Sequence, residues 1–492
     1  MQATFTGFWF FVFFAAVLAV YYLTPKKARI YVLLAASVGF YLLTGKPVLI
    51  VCPLTASLIA YAGGLLLGAK EEPSSGKARK RLLFTLIILL FSGSVVLLKY
   101  LHPFGSAFIP LGISFYTFTL LSYVIDVYNG LSVPEKNPLR LVLYGMYFPH
   151  ILSGPILRYR EDAKAFSEEA ATGYKPLTFG LQRMLWGLFK ILVISERCAK
   201  VADTVYGDPA SYRGGYVVIA AVFYAFQLYT NFSGSMDMAL GMSECFGFRM
   251  PENFDTPFLS ETVAEFWRRW HITLGLWMKE YVFYPLLRTK LFTKFASANK
   301  ERFGKKAGKR LTTFAAMFFL WLTVGLWHGG NIKYVIGSGL LHWIFIMLEE
   351  VLEEPFGKLW TRLNIDPKHT VLRALRILRT FLLISMAFVF FRADSASQAA
   401  SMLGSIFSRW SFSQGGLFSL GLGWIEFTIL VVSLLLMTAV EVISRKKSIR
   451  ERLSEKPLVL RWAVLYALLF YVILLGYYGP GFDAAAFIYQ GF

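Results

Sequence analysis

The chain has 492 residues, 56% apolar and 17% aromatic but only 16% charged, where soluble domains carry roughly 25% charged residues; an ordinary soluble fold is excluded. Fifty lysines and arginines against thirty aspartates and glutamates leave a formal charge of +20, and its concentration in short connecting segments makes it a topological signal rather than a nucleic-acid one. Cys52, Cys198 and Cys245 lie far apart, with no C-x-x-C pair and no histidine at metal spacing, so neither a disulfide framework nor a metal site is predicted.

Apolar stretches approaching the ~30 Å hydrocarbon thickness recur along the chain. The first, residues 8–23, has no basic region before it and is followed by Lys26, Lys27 and Arg29, so it reads as a retained membrane helix rather than a signal peptide. Further spans are predicted at 30–43, 48–68, 82–98, 108–128, 141–157, 177–195 and 216–232. Residues 260–284, SETVAEFWRRWHITLGLWMKEYVFY, are too polar for a lipid-facing span. Phe266, Trp270, Leu274, Trp277 and Tyr281 share one helical face there, which predicts an amphipathic helix capped by Ser260. Spans follow at 311–328, 332–348, 375–391, 424–443 and 458–478. Several fall short of the ~20 residues of a straight crossing, so some tilt or re-enter. The expectation is an all-α polytopic membrane protein of about a dozen helices, with 1–492 forming one domain.

Four segments, 24–29, 69–81, 293–310 and 444–457, carry net charges of +3, +3, +6 and +4, or 16 of the 20 excess charges. The positive-inside tendency puts all four on the cytoplasmic side of a cell membrane, with the N-terminus and the tail after 478 outside. Sides are not assigned between 108 and 292.

Polar groups beside apolar segments are expensive unless paired, which makes Asp126, Asp237, Glu244, His150, His271, His328 and His342 the first candidates for function. His102 and His369 sit in polar connections. His328 ends an apolar run directly before Gly329, Gly330 and Asn331; it reads either as a general base at the end of a buried helix or as an interfacial histidine at an ordinary turn. His271, in FWRRWHITL, either orients a substrate beside Arg268 and Arg269 or sits among interfacial anchors. Asp237 follows two serines around Gly234 and either binds a proton or cation, or caps a broken helix or makes a buried structural hydrogen bond. There is no phosphate-binding G-x-x-x-x-G-K-[ST] loop, no H-E-x-x-H and no G-x-S-x-G. A transferase working in the membrane, or a proton-coupled polysaccharide or lipid transporter, remains.

Seven pieces in order carry a resemblance: PLGISFYTFTLLSYVIDVY (110–128), YFPHILSGPILRYRE (147–161), YTNFSGSMDMALG (229–241), the stretch from GFRMPENFD to EYVFYPL (247–286), LWHGGNIKYVIGSGLLHW (326–343), FVFFRA (388–393) and the terminal FIYQGF. Together they resemble the membrane-bound O-acyltransferase family in its bacterial cell-surface branch, nearest to the members that O-acetylate alginate and more distantly to those that D-alanylate teichoic acid. The resemblance implies a helical bundle around a central tunnel. An acyl thioester, acetyl coenzyme A or a loaded acyl carrier protein, enters from the cytoplasm; no cofactor is tightly bound. The acceptor is an extracytoplasmic hydroxyl of a cell-surface polysaccharide such as alginate, or of a partner acyltransferase. By the same resemblance the catalytic histidine of W-H-G falls on His328 and that of R-W-H on His271, with Trp327, Gly329, Asn331, Arg268, Trp270 and Asp237 as substrate-binding positions. The chain departs from the family's usual D-F-S-G-Y-S-D at 231–237, has Ile332 where a tryptophan is common, and ends in QGF.

Overall fold

The computed structural model describes residues 5–69, 74–101, 108–166, 170–408, 410 and 416–478. His102 and the terminal FIYQGF lie outside the described residues. Among those residues the chain is helical with no strand, only an isolated antiparallel bridge between Phe254 and Trp270. Ten helices are long and apolar enough to cross a membrane, from Lys26–Thr44 to Leu458–Leu475, and Phe8–Leu23 and Ile113–Tyr128 are shorter apolar helices.

The chain divides into two compact units, neither continuous in sequence. The first comprises Met1–Ile191, Asn231–Glu252 and Ser454–Phe492. A close seam joins the Tyr174–Leu188 helix to the Asn231–Cys245 part of the Gly215–Cys245 helix through glycine pairs. A Cβ on Gly180 would meet the Gly241 carbonyl oxygen at 2.4 Å, and one on Gly187 would meet that of Gly234 at 2.6 Å. Small residues let two backbones touch where lipid offers no hydrophobic drive to bring helices together. The same approach places Arg183 Nε and Lys190 Nζ each 3.0 Å from a carboxylate oxygen of Asp237, while Arg183 also pairs with Glu252 at 2.5 Å. Elsewhere in this unit Phe10, Phe14, Phe40, Phe148 and Phe246 form a chain of ring contacts.

The second unit comprises Leu192–Thr230 and Asn253–Leu453. Here the Lys290–Trp327 helix is interrupted at Gly304, whose φ of 78° and ψ of 169° are open essentially to glycine alone. The chain folds back there: Asn299 Nδ2 donates to Thr312 Oγ1 at 3.3 Å, and the rings of Phe292 and Phe319 lie 6.1 Å apart. After the Trp327 turn, a π-helical stretch, Val335–Leu340, is clamped by glycines. A Cβ on Gly325 would meet Val335 Cα at 2.8 Å and one on Gly337 would meet Phe390 Cβ at 2.4 Å.

Four expectations are corrected. Residues 141–157 are not one span but the short helices Pro138–Met146 and Phe148–Ile151 and an irregular run, all buried from Leu141 to Leu157; Pro149 and Pro155 break the helix. Residues 260–284 are not one helix but Val263–Arg269, Ile272–Met278 and a π turn, and Thr262 rather than Ser260 caps the first, accepting from Glu265 N–H at 3.0 Å. The helix predicted at 216–232 does not break at Ser233–Gly234–Ser235, because Gly234 is a packing position inside Gly215–Cys245. The basic segment 293–310 is a helical hairpin rather than a loop.

Candidate active site

In the second unit, two buried histidines flank one indole. His328 terminates the Lys290–Trp327 helix, its N–H donating to the Val324 carbonyl at 3.2 Å, and only 3% of it is exposed. Its ring lies 4.7 Å from that of Trp327 and 5.2 Å from that of Phe391. The His271 ring is 5.9 Å from that of Trp327. His328 can stand there because Gly329 and Gly330 end the helix: Gly330 has φ 69°, and a Cβ on Gly329 would strike the Tyr334 ring at 2.7 Å.

His271 occupies the break between Val263–Arg269 and Ile272–Met278, in the left-handed conformation at φ 47°, ψ 51°. Such a conformation costs of order 1 kcal/mol for a residue with a Cβ and persists where its surroundings over-determine it. Here the surroundings are the Asn253–Asp255 segment. Ile272 N–H donates to the Asn253 carbonyl and Asp255 N–H to that of Arg269, both at 3.0 Å, and Trp270 bridges to Phe254. The Asn253 side-chain oxygen receives Thr273 N–H at 3.0 Å and Thr273 Oγ1 at 2.9 Å, and stands 3.3 Å from His271 Nδ1. Burial lowers the His271 pKa from 6.5 to about 3, leaving a neutral imidazole at physiological pH.

The remaining predicted positions divide. Trp270 is 2% exposed and packs among Phe254, Phe266 and Phe388 at ring distances of 5.2, 5.3 and 5.5 Å. Asn331 is exposed and its Oδ1 accepts from Lys333 N–H at 3.1 Å, capping the next helical turn. Arg268 is exposed, whereas Arg269 pairs with Glu265 at 2.6 Å and reaches Thr256. Asp237 belongs to the first unit, in the ion-pair cluster with Arg183 and Lys190. Asp126 and His150 are also buried in that unit, Asp126 at 3.4 Å from Arg160 N–H. His342 is fully buried between Trp267 and Trp321, at ring distances of 4.7 and 5.6 Å. The sequence reading passed over Asn253 and Thr273; the only signal was their place within the 247–286 motif.

A cleft of about 550 Å³ lies beside the hairpin, lined by Lys306, Lys309, Arg310, Thr313, Glu350, Glu353 and Glu354. Its three cations face three carboxylates, one pair being Lys306 and Glu354 at 3.2 Å, so the cleft lining is close to neutral. The surplus charge sits instead on exposed Lys294, Lys300, Arg302 and Lys305.

Comparison with known proteins gives the site its context. A family model described as MBOAT, membrane-bound O-acyltransferase family, matches residues 135–299. The chain is 33% identical over 412 residues to a probable alginate O-acetylase of Pseudomonas fluorescens, covering 82% of this chain and 76% of the relative. It is 30% identical over 321 residues to the peptidoglycan O-acetyltransferase of Helicobacter pylori, covering 60% and 56%. It is also 29% identical over 268 residues to the teichoic acid D-alanyltransferase of Bacillus subtilis, covering 51% and 62%.

Proposed function

The chain belongs to the membrane-bound O-acyltransferase family and is a multi-pass membrane O-acyltransferase, and from that premise we propose that it is an O-acetyltransferase of the cell envelope in which His328 is the general base. The acyl group comes from a cytoplasmic thioester, acetyl coenzyme A or an acyl carrier protein, and passes through a tunnel in a single catalytic domain, 1–492. It goes to a hydroxyl of an extracytoplasmic polysaccharide or of a partner acyltransferase. The names of the three relatives, all transferases to envelope polymers, support this reading over the transporter alternative.

The observation that carries the mechanism is a buried imidazole at a helix end, walled by Trp327 and Phe391. As the acceptor oxygen attacks the thioester carbonyl carbon, the C–O bond forms and the C–S bond breaks. The hydroxyl proton passes to His328 and from there to the departing thiolate. Such positioned proton transfer contributes about 10²- to 10⁴-fold. Apolar walls exclude the water that would hydrolyse the thioester. His271 supports the same site, with Trp327, Trp270, Gly329 and Asn331 shaping it and Arg268 reaching the donor.

The test is radiolabelled acetyl transfer across membrane vesicles. His328→Ala at matched expression is expected to lose extracytoplasmic label; equal labelling of parent and variant would remove His328 from the chemistry. Donor steering by the hairpin is tested separately. Neutralising Lys300, Arg302 and Lys305 is expected to raise the donor KM and flatten its salt dependence, whereas Lys306, balanced by Glu354, matters less.

A further inference from the structure

We propose that Asn253 is a positioning residue that fixes the proton of His271 on Nδ1, so that Nε2 meets the substrate as a hydrogen-bond acceptor. The proposal rests on the reading that His271 belongs to the active site, but its key measurement does not.

The argument begins with an atom whose identity is forced. The side-chain atom of Asn253 facing His271 also receives the backbone N–H of Thr273 at 3.0 Å, and an N–H can only donate. The atom is therefore the amide oxygen rather than the amide nitrogen, and the Thr273 hydroxyl donates to it as well, at 2.9 Å. An oxygen so engaged offers His271 Nδ1 only a lone pair. At 3.3 Å the contact is a hydrogen bond only with the hydrogen on Nδ1. A neutral imidazole has one N–H, so Nε2 is the basic nitrogen.

The backbone enforces the same outcome. Asn253 holds Ile272 N–H through its own carbonyl, so a single residue grips His271 from the main chain and the side chain at once. That double grip accounts for a histidine at φ 47° in an otherwise helical stretch. In the neutral state, His271 then cannot donate Nε2–H to a developing oxyanion; it can only accept, from the acceptor hydroxyl or from a donor amide. The division of labour follows: His271 aligns a donor hydrogen, and His328 takes the proton.

Among the described residues, the charged and titratable groups on the surrounding elements include Glu265, Arg268 and Arg269 on the preceding helix, Asp255 beside Asn253, Arg445 at 2.8 Å from Thr256, Glu441 on Tyr229, and His328 next to Trp327. Among them Arg269 is paired with Glu265, and Arg445 stands 3.9 Å from Asp255, so the local charges largely compensate one another. A new carboxylate at 253 would therefore be the dominant change felt by the ring.

Two substitutions and one spectroscopic readout test this. In Asn253→Asp the same oxygen geometry is kept and a negative charge is set against Nδ1–H, which stabilises the imidazolium. The acid limb of the transfer profile is expected to move upward relative to that of the parent, into the range from about pH 5 to 8, with activity recovered at the upper end. In Asn253→Leu the orientation is lost and kcat is expected to fall about 10²-fold with a much smaller change in donor KM. Nitrogen NMR on histidine-labelled protein in detergent, with the His271 signals identified by their loss in His271→Gln, reads the tautomer without any turnover and is expected to show a protonated Nδ1 and an unprotonated Nε2.

Finding the proton on Nε2 in the parent overturns the proposal whatever the activities. An Asn253→Asp variant with an unshifted profile and full activity shows that the contact does not act on the chemistry, and that also overturns it. Neither result bears on His328, whose role is decided by its own variant. Should Asn253→Leu fail to fold, the aspartate profile and the parent spectrum still decide the matter.

Discussion

Burial favours the neutral form of an imidazole, and that preference has a thermodynamic signature. His150 and His271 are both held near a pKa of about 3 by burial, against an ordinary 6.5. Between those values the unfolded chain binds protons that these two folded-state imidazoles refuse, so their contribution to folded stability rises with pH across that window and is constant above 6.5. Unfolding in detergent, followed from about pH 5 to 8, is expected to show this contribution as a shallower pH dependence in His150→Gln and in His271→Asn than in the parent. The backbone at His271 also dictates how its role should be probed. Alanine at φ 47° adds strain to the loss of the ring, whereas asparagine tolerates that conformation, so His271→Asn is the cleaner deletion. His328 was legible in the sequence because an apolar run ends on it and Gly-Gly-Asn follows. Asn253 was not, since it meets His271 across 18 residues with no periodicity to connect them.

At the scale of elements, periodicity located most of the helices and misjudged the glycines. Gly234 between two serines reads as a break, yet it is one half of a contact whose other half, Gly187, lies on a different helix. A single helix cannot reveal such pairing. Gly187→Val is expected to destabilise the protein by about 1–3 kcal/mol through forced separation of the helices, measured as a lowered unfolding midpoint in detergent. Asp237 reads as a proton or cation site, a cap or a buried structural bond; the structure shows a buried bonded carboxylate whose partners, Arg183 and Lys190, come from that same neighbouring helix. Asp237→Asn leaves two cations without their shared carboxylate and is expected to cost about 3–5 kcal/mol, more than the double variant Asp237→Asn with Lys190→Met. The break inside 260–284 escaped detection for a related reason: its apolar face is continuous in helical spacing, and only the non-local bridge from Phe254 to Trp270 pulls the chain into an extended turn.

For the whole molecule, composition was enough to establish a polytopic helical membrane protein, because no other environment accommodates a chain with 56% apolar residues. Sidedness is carried by charge. With the native cysteines replaced, single cysteines at exposed Lys27, Lys77, Lys305 and Lys446 are expected to react with an impermeant thiol reagent only from the cytoplasmic face of vesicles. Labelling of any one from outside would break the proposed topology at that segment. The ion-pair cluster in the first unit also bears on the order of events during synthesis. Arg183 and Lys190 emerge 54 and 47 residues before Asp237. At about 5–20 residues per second their helix waits several seconds for its counter-charge. A cation at the centre of a membrane helix opposes insertion by about 2.5–3.5 kcal/mol on translocon scales. The Tyr174–Gly207 segment is therefore poorly suited to partition into lipid alone and is best released together with the Asp237 helix, whose carboxylate offsets one of its two buried positive charges as the two crossings enter the bilayer.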